Sequence, residues 1–159
     1  MFDARTRLLI LGSLPGAVSL RQQQYYGHPR NQFWHLVGGM AGVDLAALSY
    51  SDRLKSLLER GIGLWDVIAE AVRPGSLDQN IRNAVPNALA QLVGTLPALR
   101  AIGFNGTTAT RLGRQQLEKH SWEYLAAPPA LVSLPSSSPA NTLAYAQKAE
   151  AWNGLRLYL

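Results

Sequence analysis

Cysteine is missing from all 159 residues, which removes disulfides, thiolate zinc sites, iron–sulfur clusters and a cysteine nucleophile together. Histidine is scarce: the chain has 3, His28, His35 and His120, with no ligand spacing such as H-x-x-x-H, so a metal hydrolase is disfavoured. There is no G-x-S-x-G to make a nucleophile elbow. Long apolar runs are lacking as well. Nothing approaches the ~20 residues of a spanning helix, and the opening MFDARTRLLILG carries Asp3 and only a short apolar stretch, a poor secretory signal. The expectation is a cytoplasmic protein with no metal, no cofactor and no membrane partner. Its chemistry is left to Asn, Asp, Ser, His and the backbone.

Charged residues are few, 16%, but unequal in sign, with 15 basic against 10 acidic side chains and a net charge of +5. That balance favours an anionic partner, and most of the basic residues are Arg, the better fork for phosphate oxygens. A generic basic surface would give the same totals. With 47% hydrophobic residues the chain is globular rather than disordered. Its length suits one domain over 1–159.

Arg7 to Leu11 (RLLIL), closed by Gly12, has the composition of a strand buried on both faces. Ser51 stands as a cap before DRLKSLLER, where Leu54, Leu57 and Leu58 share a helical face and Gly61 ends it. IGLWDVI makes a second strand, PGSLDQNIRNAVPN a long polar loop, and NALAQLVGTL a helix. LRAIGF is a third strand, ended by NG. Thr107 or Thr108 caps ATRLGRQQLEK, PALVSLP is a fourth strand, and Asn141 sits where an N-cap would before the last helix. Strands alternating with helices imply an α/β fold, a three-layer αβα sandwich around a central, mostly parallel four-stranded sheet.

Ligands of such sheets bind beyond the carboxyl ends of the strands. Two loops on that rim are rich in small residues: GSLPG (Gly12, Ser13, Leu14, Pro15, Gly16) after the first strand, and LPSSSPAN after the fourth. Small residues let backbone N–H groups approach a ligand closely, although Gly and Pro are also ordinary turn residues.

Together with QQQYYGHPRNQFW, these loops resemble the uracil-DNA glycosylase superfamily, and most of all its hypoxanthine (deoxyinosine) DNA glycosylase branch, near the mismatch-specific uracil/thymine enzymes. The resemblance runs in order along nearly the whole chain. It implies a monofunctional DNA N-glycosylase that hydrolyses the glycosidic bond of deaminated bases, hypoxanthine first, with uracil or xanthine as further candidates. The implied partner is double-stranded DNA with a deaminated or mismatched base, with single strands as a second form, bound by a monomer.

The implied residues transfer unevenly. Relatives close to the uracil enzymes place Asp or Asn at the third position of the first motif to hold the attacking water; here it is Leu14, which holds none. The catalytic role passes to Asn31 of HPRN, which would equally serve as a helix cap before QFWHLV. Gly16 stands where pyrimidine-restricted enzymes have a tyrosine, leaving room for a purine. Tyr26 aligns with the ring laid against the flipped base, unless Tyr25 or Tyr26 only packs into the core. Asp66, at the end of GLWD, aligns near the base-reading position. An ionised carboxylate only accepts hydrogen bonds, so it suits the N1–H of hypoxanthine and rejects adenine. A solvated turn residue is the plainer reading of Asp66.

Ser136 replaces the histidine of the uracil enzymes, and Ala140 replaces their bulky wedge. His28, Arg30, Ser136, Ser137, Ser138 and Asn141 would meet the DNA, the serines and Asn141 through hydroxyl and backbone donors at the N-terminus of the last helix. The competing reading is a lesion-binding protein of the same fold with little or no hydrolysis; a nucleotide hydrolase using GSLPG as a phosphate nest ranks third.

Overall fold

The computed structural model describes residues 1–118 and 127–159. The chain runs β1 (Leu8–Gly12), α1 (Ala17–Gln22), α2 (Phe33–Ala41), α3 (Tyr50–Glu59), β2 (Ile62–Asp66), β3 (Ile68–Val72), β4 (Arg82–Pro86), α4 (Leu89–Gly94), β5 (Ala101–Asn105), α5 (Thr107–Leu117), β6 (Ala130–Leu134) and α6 (Tyr145–Asn153). A four-stranded parallel sheet in the order β2-β1-β5-β6 carries the fold.

The apolar run of β1 occupies the centre, and Leu8, Leu9, Ile10 and Leu11 are fully buried. Alternation of side chains along the strand divides them between two cores. Leu8 and Ile10 join Phe33, Trp34, Leu57 and Trp152 under α2, α3 and α6, while Leu9 and Leu11 join Leu89, Val93, Ala109 and Leu117 under α4 and α5. Burying each such side chain contributes roughly 1.5–3 kcal/mol. The αβα sandwich expected from the alternation of elements is what the chain forms. Among the described residues, no helix is long and apolar enough to cross a membrane.

The chain leaves β1 for β2 over one face, and β5 for β6 over the other. The connections therefore diverge between β1 and β5, and a crevice opens at their carboxyl ends. Gly12 and Asn105 stand on its two sides.

Several boundaries differ from expectation. The segment expected to be a polar loop after β2 contains β4, which pairs antiparallel with β3 in a small separate hairpin. Its strands are largely exposed, so no apolar alternation marks them in the sequence. The short helix α1 follows the GSLPG loop, where no element is expected from the sequence. Ser49, not Ser51, caps α3, accepting from the Asp52 N–H at 3.2 Å. Thr107 and Thr108 lie inside α5, whose cap is Gly106. The cap of α6 is Ala144 rather than Asn141. Lys119, the last residue of the helix expected over ATRLGRQQLEK, and His120 lie outside the described residues.

Candidate active site

A cleft of about 1220 Å³ opens at the carboxyl end of the sheet. The candidate site residues of the sequence all line it: Gly12 to Gly16, Tyr26, His28, Arg30, Asn31, Asp66, Ser136 to Ser138 and Asn141. They come from four separate stretches of chain. Convergence of all of them on one cleft follows from the topology, since each stretch follows a strand or lies at its carboxyl end.

Asp66 ends β2 directly across from Gly12 of β1. A Cβ at residue 12 would lie 2.5 Å from Asp66 Oδ1 and 3.0 Å from the Tyr26 hydroxyl. The glycine therefore allows the carboxylate and the phenol to converge at the crevice. Burial pushes the Asp66 carboxyl up to about 7, against the opposing pull of the amino terminus and Arg73. This is no solvated turn residue. Burial likewise raises the Tyr26 hydroxyl above its ordinary value, with Asp66 adding to the shift. The Tyr26 ring stacks on Phe33 with centroids 3.6 Å apart and planes at 12°. One ring face is thus occupied by the core, while Tyr26 also lines the cleft. Tyr25 also packs against the core, and its N–H donates to the Tyr50 hydroxyl at 2.9 Å.

Asn31 sits one residue ahead of the cap position of α2. Its Oδ1 accepts from the N–H of Phe33, the first residue of the helix, at 3.0 Å, which satisfies one of the donors left free at a helix start. Capping and catalysis are compatible here: a carbonyl oxygen has a second lone pair with which to orient a water. His28 sets the turn before it, its Nδ1 accepting from the Arg30 N–H at 3.1 Å and its carbonyl accepting from the Asn31 N–H at 2.8 Å. The Arg30 side chain is exposed at the rim.

The GSLPG loop is gripped from outside by the hairpin. The guanidinium of Arg73 donates to the carbonyls of Leu14 and Pro15, and it pairs with Asp78 at 3.5 Å. Asp78 in turn accepts from the Ser13 hydroxyl at 2.9 Å. Leu14 packs against the core beneath α4 and α5, as an apolar residue at that position must. A Cβ on Gly16, whose φ is −68°, would meet only Ser76 Oγ at 3.8 Å. Neither backbone conformation nor crowding requires glycine at residue 16.

The serine loop differs from expectation in three respects. It does not open the last helix, because α6 begins at Tyr145. Four of its backbone donors are also occupied: the N–H groups of Ser137, Ser138, Ala140 and Asn141 go to Asn105 Oδ1, Ser136 Oγ, Ser138 Oγ and the Ser138 carbonyl. Third, Ser137 is fully buried, and its hydroxyl accepts from Asn105 Nδ2 at 2.8 Å, so it fastens the loop to β5 instead of facing a phosphate. Ser136 and Ser138 remain as donors, since a hydroxyl that accepts an N–H still has its own hydrogen to give. Asn141 braces the loop, with Nδ2 on the Ser136 carbonyl and Oδ1 under the Leu143 N–H. Gly106, at φ +97°, faces Ser136 so closely that a Cβ there would sit 3.0 Å from the serine Cβ.

Asn105 and Arg73 are among the cleft residues that the sequence does not single out. Asn105 is buried at the end of β5 and holds Ser137 through both ends of its amide; in the sequence, NG after an apolar run looks like a turn. Arg73 is only 5% exposed along its side chain, which a lone arginine in a polar stretch does not announce.

The chain has clear relatives. The family model described as the uracil DNA glycosylase superfamily matches residues 1–156. Two proteins named hypoxanthine DNA glycosylase are similar: one from Methanosarcina barkeri (strain Fusaro / DSM 804), 45% identical over 106 residues that make up 67% of each chain, and one from Methanosarcina acetivorans, 46% identical over 109 residues that make up 69% of each. A solution NMR structure from Methanosarcina acetivorans, of a protein described as a candidate uracil DNA glycosylase, superposes with a TM-score of 0.83 at 37% identity, covering 98% of this chain and 91% of that one.

Proposed function

The chain belongs to the uracil DNA glycosylase superfamily and is a DNA repair glycosylase acting on deaminated bases, and we propose that hypoxanthine in duplex DNA is the base it removes, with Asn31 at the reacting sugar. The observation that carries this reading is the convergence of HPRN, GSLPG, Asp66 and the serine loop on one cleft at the switch point of the sheet.

Each part has a distinct task. The nucleotide must leave the stack, at a cost of a few kcal/mol that is least for a poorly paired base. Ser136 and Ser138 donate their hydroxyl hydrogens to the backbone beside the lesion, and Arg30 adds a guanidinium at the rim. The open space beside Gly16 accepts the larger purine ring. Ionised Asp66 accepts from N1–H, a proton that adenine lacks.

Breaking the C–N bond leaves positive charge on the sugar and negative charge on the departing base. Fixed dipoles near both, which need no reorganisation, stabilise that transition state. Asn31 contributes such a dipole, and its free lone pair orients the attacking water. An amide cannot take up the proton of that water, which ends on the departing base anion as neutral hypoxanthine, so orientation and electrostatics rather than general-base catalysis are the role of Asn31.

The reading is tested with duplexes carrying a single inosine, uracil, xanthine or G·T mismatch, incubated with the protein and then treated with alkali. Strand scission should be fastest at inosine. Faster scission at uracil than at inosine would reverse the order proposed from Gly16 and Asp66.

A further inference from the structure

Lys148 is 1% exposed on α6, and among the described residues no carboxylate lies within ion-pair distance of it. Its ammonium donates to Gln32 Oε1 at 2.9 Å and to the Asn141 carbonyl at 2.8 Å. Gln32 is the chain neighbour of Asn31 and the cap residue of α2; Asn141 closes the serine loop. A second link runs parallel to the first, from the Gln32 N–H to the Ser137 carbonyl at 3.0 Å. On the geometry of these contacts, we propose that Lys148 is a positioning residue, which fixes Asn31 relative to the serine loop so that the reacting sugar and its flanking phosphate are held at one separation. The proposal rests on the glycosylase reading above.

Burying an ammonium without a counter-charge is costly, and desolvation lowers the affinity of Lys148 for its proton. A methionine of similar length would fill the same space without that cost. Packing alone therefore does not account for a lysine at this position. What the ammonium adds is two hydrogen bonds at once, one to each of two segments that line the cleft. A neutral donor with a single N–H could hold one of them. Local departures from the rules of burial concentrate where function needs them.

The test compares wild type, Lys148→Met, Gln32→Met and the double variant, by single-turnover excision from an inosine duplex, duplex affinity and thermal unfolding. Lys148→Met should keep or raise Tm and bind duplex as wild type does, while excision slows by about 100-fold, the scale of a misplacement near 1 Å. A purely structural lysine would lower Tm and leave the rate at a temperature well below it unchanged. Gln32→Met should show the same separation of rate from affinity, and the double variant should lose no more than Lys148→Met alone, because both substitutions break one link. Should Lys148→Met not fold, Gln32→Met decides by itself. Wild-type excision rates in Gln32→Met, or in a folded Lys148→Met, overturn the proposal. A wild-type chain that forms no abasic sites fails earlier, and takes the glycosylase reading with it.

Discussion

Gly12 and Asp66 face each other across β1 and β2, and a methyl group on Gly12 would stand 2.5 Å from Asp66 Oδ1. The atoms in the way, Asp66 Oδ1 and the Tyr26 hydroxyl, are ends of side chains and can turn aside. Gly12→Ala should therefore fold with a Tm near that of wild type while losing inosine excision by at least about tenfold, because the carboxylate is driven off its position. Circular dichroism melts beside an excision assay check both halves. A large fall in Tm would place the role of Gly12 in the fold instead.

Asp66 makes two pH predictions with linked signs. Its carboxyl titrates near 3.8 when unfolded and at about 7 when folded, so between those values the folded state binds more protons. Stability then falls as pH rises through that window, and the penalty is complete above it. Asp66→Asn should melt with wild type near pH 4 and above wild type at pH 8. Activity should run the other way: with the ionised form as the proposed acceptor of N1–H, wild-type kcat/KM on inosine should climb through about pH 7. Asp66→Asn, whatever its rate, should lose that limb. An identical Tm difference at both pH values would contradict burial of a titrating carboxyl.

Gly16→Tyr is expected to cut inosine excision far more than any uracil excision, since the ring would take the volume a purine needs. The backbone tolerates the change, with φ at −68° and only Ser76 Oγ near. Equal losses on both substrates, in a folded variant, would show that the loop had moved as a whole.

The excess of basic residues predicts a steep salt dependence of duplex binding, with a log–log slope of about −0.9 for each phosphate contact. Arg30→Ala should make the slope shallower by about one contact's worth while weakening damaged and undamaged duplex alike. An unchanged slope would leave Arg30 as a solvated residue before α2, and a flat response in wild type would remove duplex DNA as the ligand.

The legible parts of this chain were those in which one physical signal acts alone. The four apolar runs RLLIL, IGLWDVI, LRAIGF and PALVSLP mark the four parallel strands, the second of them ending two residues early at Asp66, and Leu54, Leu57 and Leu58 mark the face of α3. The small-residue loops pointed to the rim of the sheet, where the cleft is. The hairpin of β3 and β4 was hidden because its strands are mostly exposed and carry no alternation. The caps at Ser51 and Asn141 were displaced because several polar residues stand within reach of each helix start, and tertiary contacts choose among them. Lys148 and Arg73 were invisible for a related reason: a long cationic side chain looks like surface in a sequence, and only the fold reveals that carbonyls are waiting for it. Ser137 could not be told from Ser136 and Ser138 until Asn105 was found beneath it.

The most direct measurement is single-turnover excision from a duplex with one inosine, comparing wild type with Asn31→Ala and reading duplex affinity in parallel. Removing the side chain also removes the bond to the Phe33 N–H, which should cost about 1 kcal/mol of stability as for a lost helix cap and leave the protein folded. The account predicts alkali-labile sites with wild type, a loss of most excision in Asn31→Ala, and affinity for the inosine duplex retained. Wild-type turnover by folded Asn31→Ala, or tight binding by wild type with no abasic sites at all, would contradict it.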